Sequence, residues 1–502
     1  MRSKLLLAAA TSPLALLAAV AALRSAGFAF GLVNLDECDF WLFGRMVREG
    51  ATPYLGVVDI KPPLTYAAFG LAGAVGGAEH WILSVRVLGV AVVFGTSLAL
   101  RAAARVWTGD ERAGWAAAWL GLAAGLCESP ALGAEVLMNL PSALALYAFA
   151  LASRDDRPLL FAASGGLAAT AALFKQQAGI LTVAMGASLC WDLVLRSRRA
   201  RSAGRIAALS VGFALPCLGA ALAFAAVGAL GPAFDWVVTR NLAQARAASP
   251  FDLSRALGAT ALCLGATLLP WALALRGSRR AGDLVGRALL LCLAGTAFSV
   301  AMNGRFYEHY FLQFVPPLAL LGARPLVDLV ERWPLLARRT RAAVAALALA
   351  PALGYLGFTW VRGWQGGYPL QDRSVAEVVR WIRDHTSPLD RLFVWGDLST
   401  IYCGSDRLPG TRYMRTAPHV GDWDPAHVDP ARLAWSPSER DVAATLRDLA
   451  ANRPAIVVDT ASGDLHHWSV FPLRRVRALD DWIQAHYAVA AAPANTLVYR
   501  LR

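Results

Sequence analysis

Apolar residues gather into eleven stretches, at 5–23, 82–100, 113–126, 136–152, 159–174, 178–195, 206–230, 256–275, 288–302, 311–326 and 342–360. A helix of about 20 residues crosses a hydrocarbon core, and in lipid it satisfies its own backbone polar groups. The pattern therefore predicts an α-helical polytopic membrane protein with about eleven spans. The first stretch starts beside Arg2 and Lys4 like a signal peptide, but it is long and lacks a clean cleavage site before Arg24, so it reads as a span. The segment 24–81 carries Pro and Gly punctuation and two amphipathic stretches, 40–48 and 64–75, which suit a loop lying on the membrane surface. Beyond residue 360 the periodicity changes. Helical patterns at 375–384 and 441–451 alternate with strand patterns at 391–395, 455–459 and 496–501. The chain thus divides into a transmembrane domain, 1–360, and a C-terminal α/β domain, 361–502.

Composition agrees: 57% of the residues are hydrophobic, 17% are charged and the mean hydropathy is +0.45, which excludes soluble, disordered and fibrous classes. The net charge of +13 could suggest nucleic acid, but the arginines concentrate in alternate short loops at 101–112, 154–157, 196–205, 276–287 and 332–341. That distribution follows the positive-inside rule and leaves no role for nucleic acid. It places the N-terminus in the cytoplasm, and an odd number of spans then sends the α/β domain outside an inner (cytoplasmic) membrane. Trp81, Trp107, Trp191, Trp271, Trp333 and Trp360 fit an interfacial belt among membrane lipids. Of seven cysteines, five lie in apolar stretches; Cys38 and Cys403 do not and could pair in an oxidising compartment, although their spacing does not call for it. No internal repeat is present.

The most unusual polar feature is Asp36-Glu37-Cys38-Asp39, just beyond the first span. Crowded carboxylates at a low-dielectric rim raise at least one pKa toward the range of a general base, against the plainer reading of a solvated loop. Pro53-Tyr54 follows, then Asp59-Ile60-Lys61-Pro62-Pro63. Only Lys4, Lys61 and Lys175 among 48 basic residues are lysine, and the last two fall at the external boundary. A compact ammonium there suits a phosphate, with a snorkelling anchor as the competing reading. Lys175 sits in the short polar turn Phe174-Lys175-Gln176-Gln177, which must line a hydrated cavity or meet a headgroup. Glu135 and Asn139, one turn apart, open the fourth span at the same level; a helix N-terminal charge is the plainer reading. The 303–310 segment combines Arg305, Glu308, His309 and Tyr310, a palette for sugar or phosphate as well as for an aromatic anchor. Arg86, one turn into the second span, could join this group or snorkel. No zinc, Walker or dinucleotide pattern occurs, and the His466-His467 pair lacks companions at ligand spacing. No cofactor is called for; three external carboxylates could hold a divalent cation without the sequence demanding one.

Taken in order, these motifs resemble the polytopic C-type glycosyltransferases, in particular the protein O-mannosyltransferase and lipid A aminoarabinose transferase group. Asp36-Glu37 resembles the family's external acidic pair, and GATPYLGVVDIKPPLTY its G...PY....KPPL.Y stretch. Arg86-Val87-Leu88, the region of Glu135 and Asn139, the FKQ turn and RFYEHYFLQFVPPLALL are likewise similar. The resemblance implies the C-type fold and inverting transfer of a hexosyl or pentosyl group from a polyprenyl-phosphate carrier to a glycan, lipid or protein acceptor at the outer membrane face. Asp36, with Glu37, would supply the base. Lys61 would neutralise the phosphate, with Tyr54, Arg86, Glu135, Asn139, Lys175, Arg305, Glu308, His309 and Tyr310 as further binding residues. One departure stands out: where the aminoarabinose branch places a basic residue soon after the acidic pair, this chain has Cys38, Asp39 and Phe40. Lys175, Arg305 or His309 would then complete the phosphate site.

A transporter or lipid-linked sugar flippase is the alternative, since many spans with charged rims would serve it, but repeats and midplane polar breaks are missing. A receptor or scaffold would leave the KPP and FKQ elements without purpose.

Overall fold

The computed structural model describes residues 11–195, 199–246, 253–302, 305–421 and 437–502. Residues 5–10 of the first apolar stretch, 196–198 of a basic loop, and Asn303 and Gly304 lie outside them.

Helix occupies each of the eleven apolar stretches. In chain order the longer helices are α1 (Pro13–Leu23), α2 (Leu35–Arg48), α3 (Pro63–Thr108), α4 (Glu111–Ala124), α5 (Ala134–Asp155), α6 (Pro158–Phe174), α7 (Gly179–Leu195), α8 (Arg199–Ala226), α9 (Leu253–Ala266), α10 (Leu268–Ser278), α11 (Leu284–Met302), α12 (Val315–Glu331) and α13 (Arg338–Trp364). Among the described residues, seven helices are long and apolar enough to cross a membrane, or eight if the pair 256–266 and 268–278, bent by 81°, counts as one. The apolar α1 and α6 are shorter, as is α4. The protein is a multi-pass integral membrane protein. Helix α3 packs on α4 and α5, α5 on α6, α6 on α8, and α12 on α4 and α10.

Both amphipathic stretches of the first loop are helical. One is α2, whose buried face includes Phe40, Trp41 and Phe43. The other is continuous with the second span: α3 runs 46 residues and turns at Gly77, whose φ of 69° is left-handed and suits only glycine well. Helix α2 lies close against the first part of α3, where a Cβ on Gly44 would stand 2.6 Å from the Gly70 nitrogen. Trp41 stacks on Trp81 with ring centroids 4.6 Å apart.

Polar contacts tie the arginine-rich loops together at one end of the bundle. Arg324 reaches Asp110 at 2.6 Å, Arg112 reaches Glu331 at 2.8 Å, Arg280 reaches Asp328 at 2.8 Å and the Trp107 indole donates to Asp283 at 2.8 Å.

Residues after α13 fold around a five-stranded sheet: β1 (Arg391–Trp395), β2 (Leu408–Pro409), β3 (Ile456–Asp459), β4 (Tyr487–Ala491) and β5 (Leu497–Leu501), in the order β2-β1-β3-β5-β4. Strand β1 is parallel to β2 and β3, and β5 is antiparallel to β3 and β4. Alternation with period two sends Leu392, Val394, Ile456 and Val458 to one face, with Val375, Val378 and Ile382 of α14 (Arg373–His385). Phe393, Trp395, Val457 and Tyr499 go to the other, with Leu449 of α15 (Glu439–Asn452) and Ile483 of α16 (Arg477–His486). Helices on both faces make this a layered α/β domain. Sequence periodicity located β1, β3, β5 and two of the helices; β2 has only two residues and β4 exposes Ala488, Val489 and Ala490, so neither carries an alternating signal.

Candidate active site

A cavity of about 990 Å³ lies between the helical bundle and the α/β domain. It forms where the start of α2, the loop before α3, the α6–α7 turn and the 305–310 segment converge.

Helix α2 decides what its acids can do. Asn34 caps it, its side chain accepting the Asp36 amide N–H at 2.9 Å, so Asp36 and Glu37 fall in the first turn. Neighbours on a helix point about 100° apart. Asp36, and Asp39 three residues on, line the cavity, whereas Glu37 points away from it. The Glu37 carboxylate accepts two hydrogen bonds from the buried Arg86 guanidinium, one of them at 2.6 Å, and further ones from the Leu132 N–H at 2.8 Å and the Val33 N–H at 3.3 Å. Arg86 also donates to the Gly31 carbonyl at 2.7 Å. Glu37 and Arg86 thus form a fully partnered pair that pins α2 to the second span, and neither lines the cavity.

Lys61 is presented by its backbone. The Tyr54 hydroxyl donates to the Lys61 carbonyl at 2.8 Å, and the Lys61 N–H donates to the Tyr66 hydroxyl at 3.0 Å. The Pro-Tyr and Lys-Pro-Pro elements therefore make one device, in which the two tyrosines hold the lysine from either side. Tyr54 is buried and adopts a left-handed φ of 61° to reach this place. Asn241 adds a bond to the Ile60 carbonyl at 2.8 Å. The Lys61 ammonium lines the cavity, with no carboxylate at ion-pair distance among the described residues. Burial works against its charge, but Asp36, Asp59 and Glu135 outweigh that and hold its pKa above the ordinary lysine value.

The FKQ turn is tied to this device by the Thr65 hydroxyl, which donates to the Phe174 carbonyl at 2.7 Å. Lys175, Gln176 and Gln177 line the cavity. Lys175 pairs with the buried Glu135 and lies 5.0 Å over the Tyr310 ring. Asn139 is buried outside the cavity and donates to the Leu312 carbonyl at 3.1 Å, fixing the 308–314 turn to α5. Arg305, Glu308, His309 and Tyr310 all line the cavity, with His309 between Glu128 at 3.8 Å and Glu135 at 3.7 Å.

Burial opposes ionisation of Asp36, but Arg415, Lys61, His309 and Lys175 prevail and hold its carboxyl well below the usual range. Burial pushes the Asp39 carboxyl up, to about 8, against the pull of Arg415. Glu128, in the loop before α5, is likewise pushed up by burial, to about 7, although Ser129 donates to it at 2.7 Å. Asp39 Oδ1 and Gln177 Oε1 are buried with no hydrogen-bond partner among the described residues. An ionised carboxylate beside an unpaired ammonium, in a cavity of this size, can take a proton from a hydroxyl and seat an anionic group nearby. Among the described residues no cluster of three or more His, Cys, Asp or Glu side chains could hold a metal ion.

No family model matches the sequence, and no curated protein sequence does either. Among solved structures, the chain is similar to ArnT from Cupriavidus metallidurans bound to undecaprenyl phosphate, at a TM-score of 0.59 and 15% identity, over 96% of each chain. It is also similar to the archaeal oligosaccharyltransferase AglB from Archaeoglobus fulgidus, in complex with an inhibitory peptide and a dolichol-phosphate. That match has a TM-score of 0.56 and 14% identity and covers 98% of this chain and 74% of the other. Both neighbours are C-type glycosyltransferases. The chain has the C-type glycosyltransferase fold. At such identities the likeness speaks for the fold alone.

Within this C-type fold, several cavity residues carried no sequence signal. Glu128 stands alone in its loop. Asp397 and Arg415 come from the α/β domain, more than 300 residues from Asp36 in the chain. Arg415 bonds Asp36 at 2.9 Å and Asp39 at 2.5 Å. His466 also lines the cavity, so its companions are spatial rather than sequential. Cys38, between the two acids, is disulfide-bonded to Cys403, with Cα atoms 6.0 Å apart.

Proposed function

We propose that the protein is an inverting glycosyltransferase that moves a sugar from a polyprenyl-phosphate carrier to an acceptor at the outer face of the cytoplasmic membrane. The observation that carries the reading is one cavity, at the end of the bundle away from the arginine-rich loops, in which Asp36 and Lys61, unpaired among the described residues, face the same space. Asp36 is the general base for an acceptor hydroxyl. Lys61 receives the carrier phosphate as its bond to the sugar breaks, with Lys175, Arg305 and His309 adding positive or hydrogen-bonding character around it. A single displacement of this kind inverts the anomeric centre and needs no covalent intermediate. A lipid-linked donor is confined to the bilayer edge, so a site there gains proximity for nothing further.

Three independent observations support the reading. The fold neighbours are structures holding undecaprenyl phosphate and dolichol-phosphate. The arginine-rich loops share one end of the bundle, which the positive-inside rule assigns to the cytoplasm. The Cys38–Cys403 disulfide belongs at the opposite end, and disulfides persist in oxidising compartments. Asp36 would act alone as base, with Glu37 held by Arg86 in a supporting role. Mass analysis of envelope glycans and of lipid carriers, with and without the protein, tests the reading. A glycan that disappears while one polyprenyl-phosphate sugar accumulates supports it; unchanged carriers and glycans contradict it.

A further inference from the structure

Arg415 is the one guanidinium recorded at ion-pair distance from Asp36 among the described residues, and it arrives from the other domain. Its Nη2 lies 2.9 Å from Asp36 and 2.5 Å from Asp39, and its Nε lies 3.5 Å from Asp397. The segment that carries it is fixed on both sides. The Tyr413 hydroxyl donates to Asp441 at 2.8 Å, and Thr416 exchanges hydrogen bonds with Gly396, at 2.8 Å through its hydroxyl and 3.2 Å through its N–H. The Val58 N–H donates to the Arg412 carbonyl at 3.1 Å, which ties the segment to the loop bearing Lys61. Helix α2 is held to the same domain by the Cys38–Cys403 disulfide and by Arg45, which reaches Asp406 at 2.6 Å. Cation and carboxylate are thus each immobilised before they meet.

We propose that Arg415, supplied by the C-terminal domain, is the positioning residue for the base: it keeps Asp36 ionised and aimed into the cavity, while Asp39 and Asp397 hold the guanidinium in place. The proposal rests on the functional reading above and makes the α/β domain part of the reaction apparatus. Its physical basis is that a carboxylate half withdrawn from water ionises poorly without a cation, and swings freely without a fixed partner. The charged groups facing Asp36 are Arg415 from the α/β domain, Lys61 from the loop before α3, Lys175 from the α6–α7 turn and His309 from the 308–314 turn, with Asp39 on its own helix. Of these, Arg415 alone among the described residues stands at hydrogen-bond distance, its Nη2 donating to Asp36 Oδ1 at 2.9 Å. Burial is the largest influence on Asp36 and opposes its charge, and Arg415 is the foremost of the cations that outweigh it, so without Arg415 the carboxyl protonates at higher pH.

The test uses the full-length, disulfide-bonded protein in lipid nanodiscs, with Arg415→Met, Arg415→Lys and Asp36→Asn. Release of undecaprenyl phosphate from a panel of undecaprenyl-phosphate-linked hexoses and pentoses, with envelope lipid and glycan fractions as acceptors, is followed against pH, alongside binding of undecaprenyl phosphate itself. Arg415→Met is expected to lower kcat by about 10- to 100-fold, the scale of impairing a general base, to move the acid limb of the kcat profile upward, and to leave undecaprenyl phosphate binding unchanged. Arg415→Lys, which keeps the charge and loses the fork, is expected to retain the acid limb and recover part of kcat; it carries the test if the methionine variant does not fold. An active wild type whose Arg415 variants keep its kcat and pH profile, or lose only carrier affinity, overturns the positioning role alone. A wild type that releases undecaprenyl phosphate from no member of the panel overturns the functional reading and the role with it.

Discussion

At the scale of single residues, one helical step gives two adjacent acids different surroundings. Asp36 lines the cavity and meets Arg415 at 2.9 Å, and Glu37 is consumed by Arg86 and two backbone amides. Asp36→Asn preserves shape and, on the proposed reading, removes the base, so transfer should fall by about 100-fold or more with the fold retained. Glu37→Gln has the opposite signature. It leaves a buried arginine uncompensated, which costs on the order of 3–5 kcal/mol, and should appear as a lowered melting temperature in detergent. Lys61→Met should weaken binding of undecaprenyl phosphate while the fold persists, and unchanged affinity would reduce Lys61 to an anchor. The sequence placed the acidic cluster, the lysines and the 305–310 residues near one membrane level, and Asp36, Lys61, Lys175, Arg305, Glu308, His309 and Tyr310 do line one cavity. It could not divide Asp36 from Glu37, because that depends on where Arg86 arrives from another helix. Arg415 and Asp397 were illegible because their meaning lies wholly in a contact between domains.

At the scale of elements, the loop between the first and second spans is a built platform. Helix α2 locks to the first part of α3 through Gly44 and Gly70, to the part beyond Gly77 through Trp41 and Trp81, and to the α/β domain through the disulfide to Cys403. Replacing Cys38 and Cys403 by serine, singly or together, should lower activity and thermal stability to the same extent in all three variants, since each loses the same crosslink; a double variant worse than either single one would show that the cysteines act apart. Glu128 in the neighbouring loop gives a pH signature. Its folded pKa of about 7 lies above the unfolded carboxylate value, so the folded state holds the extra proton and stability declines as pH rises from near 4.5 toward 7. Glu128→Gln should flatten the melting temperature across that window, and an unaltered slope would mean that another group sets it. Apolar patterning revealed these helices readily. It did not reveal that the 64–75 stretch continues into the second span, because a left-handed Gly77 reads as a stop in sequence while serving as a bend in the structure.

At the scale of the whole molecule, the proposed function requires the cavity and the α/β domain on the outer side and the arginine-rich loops on the inner. Leu389 is 92% exposed on the α/β domain, and Leu389→Cys should react with a membrane-impermeant thiol reagent in intact cells, whereas Arg339→Cys, at the other end, should react only after the membrane is broken. The reverse pattern would invert the topology and remove the external site. The fold class was legible because eleven apolar stretches and a change of period after residue 360 are physical necessities of a membrane bundle followed by a water-exposed sheet. The union of the two parts around one cavity was not, since no periodicity encodes it. The most direct measurement is a transfer assay with the purified protein in nanodiscs, supplied with undecaprenyl-phosphate-linked sugars and with envelope lipid and glycan fractions as acceptors, reading both undecaprenyl phosphate release and the anomeric configuration of the product. Release with inversion by the wild type, and a loss of about 100-fold or more in Asp36→Asn, are expected. Retention of configuration, or an Asp36→Asn variant as fast as the wild type, would contradict the proposed function.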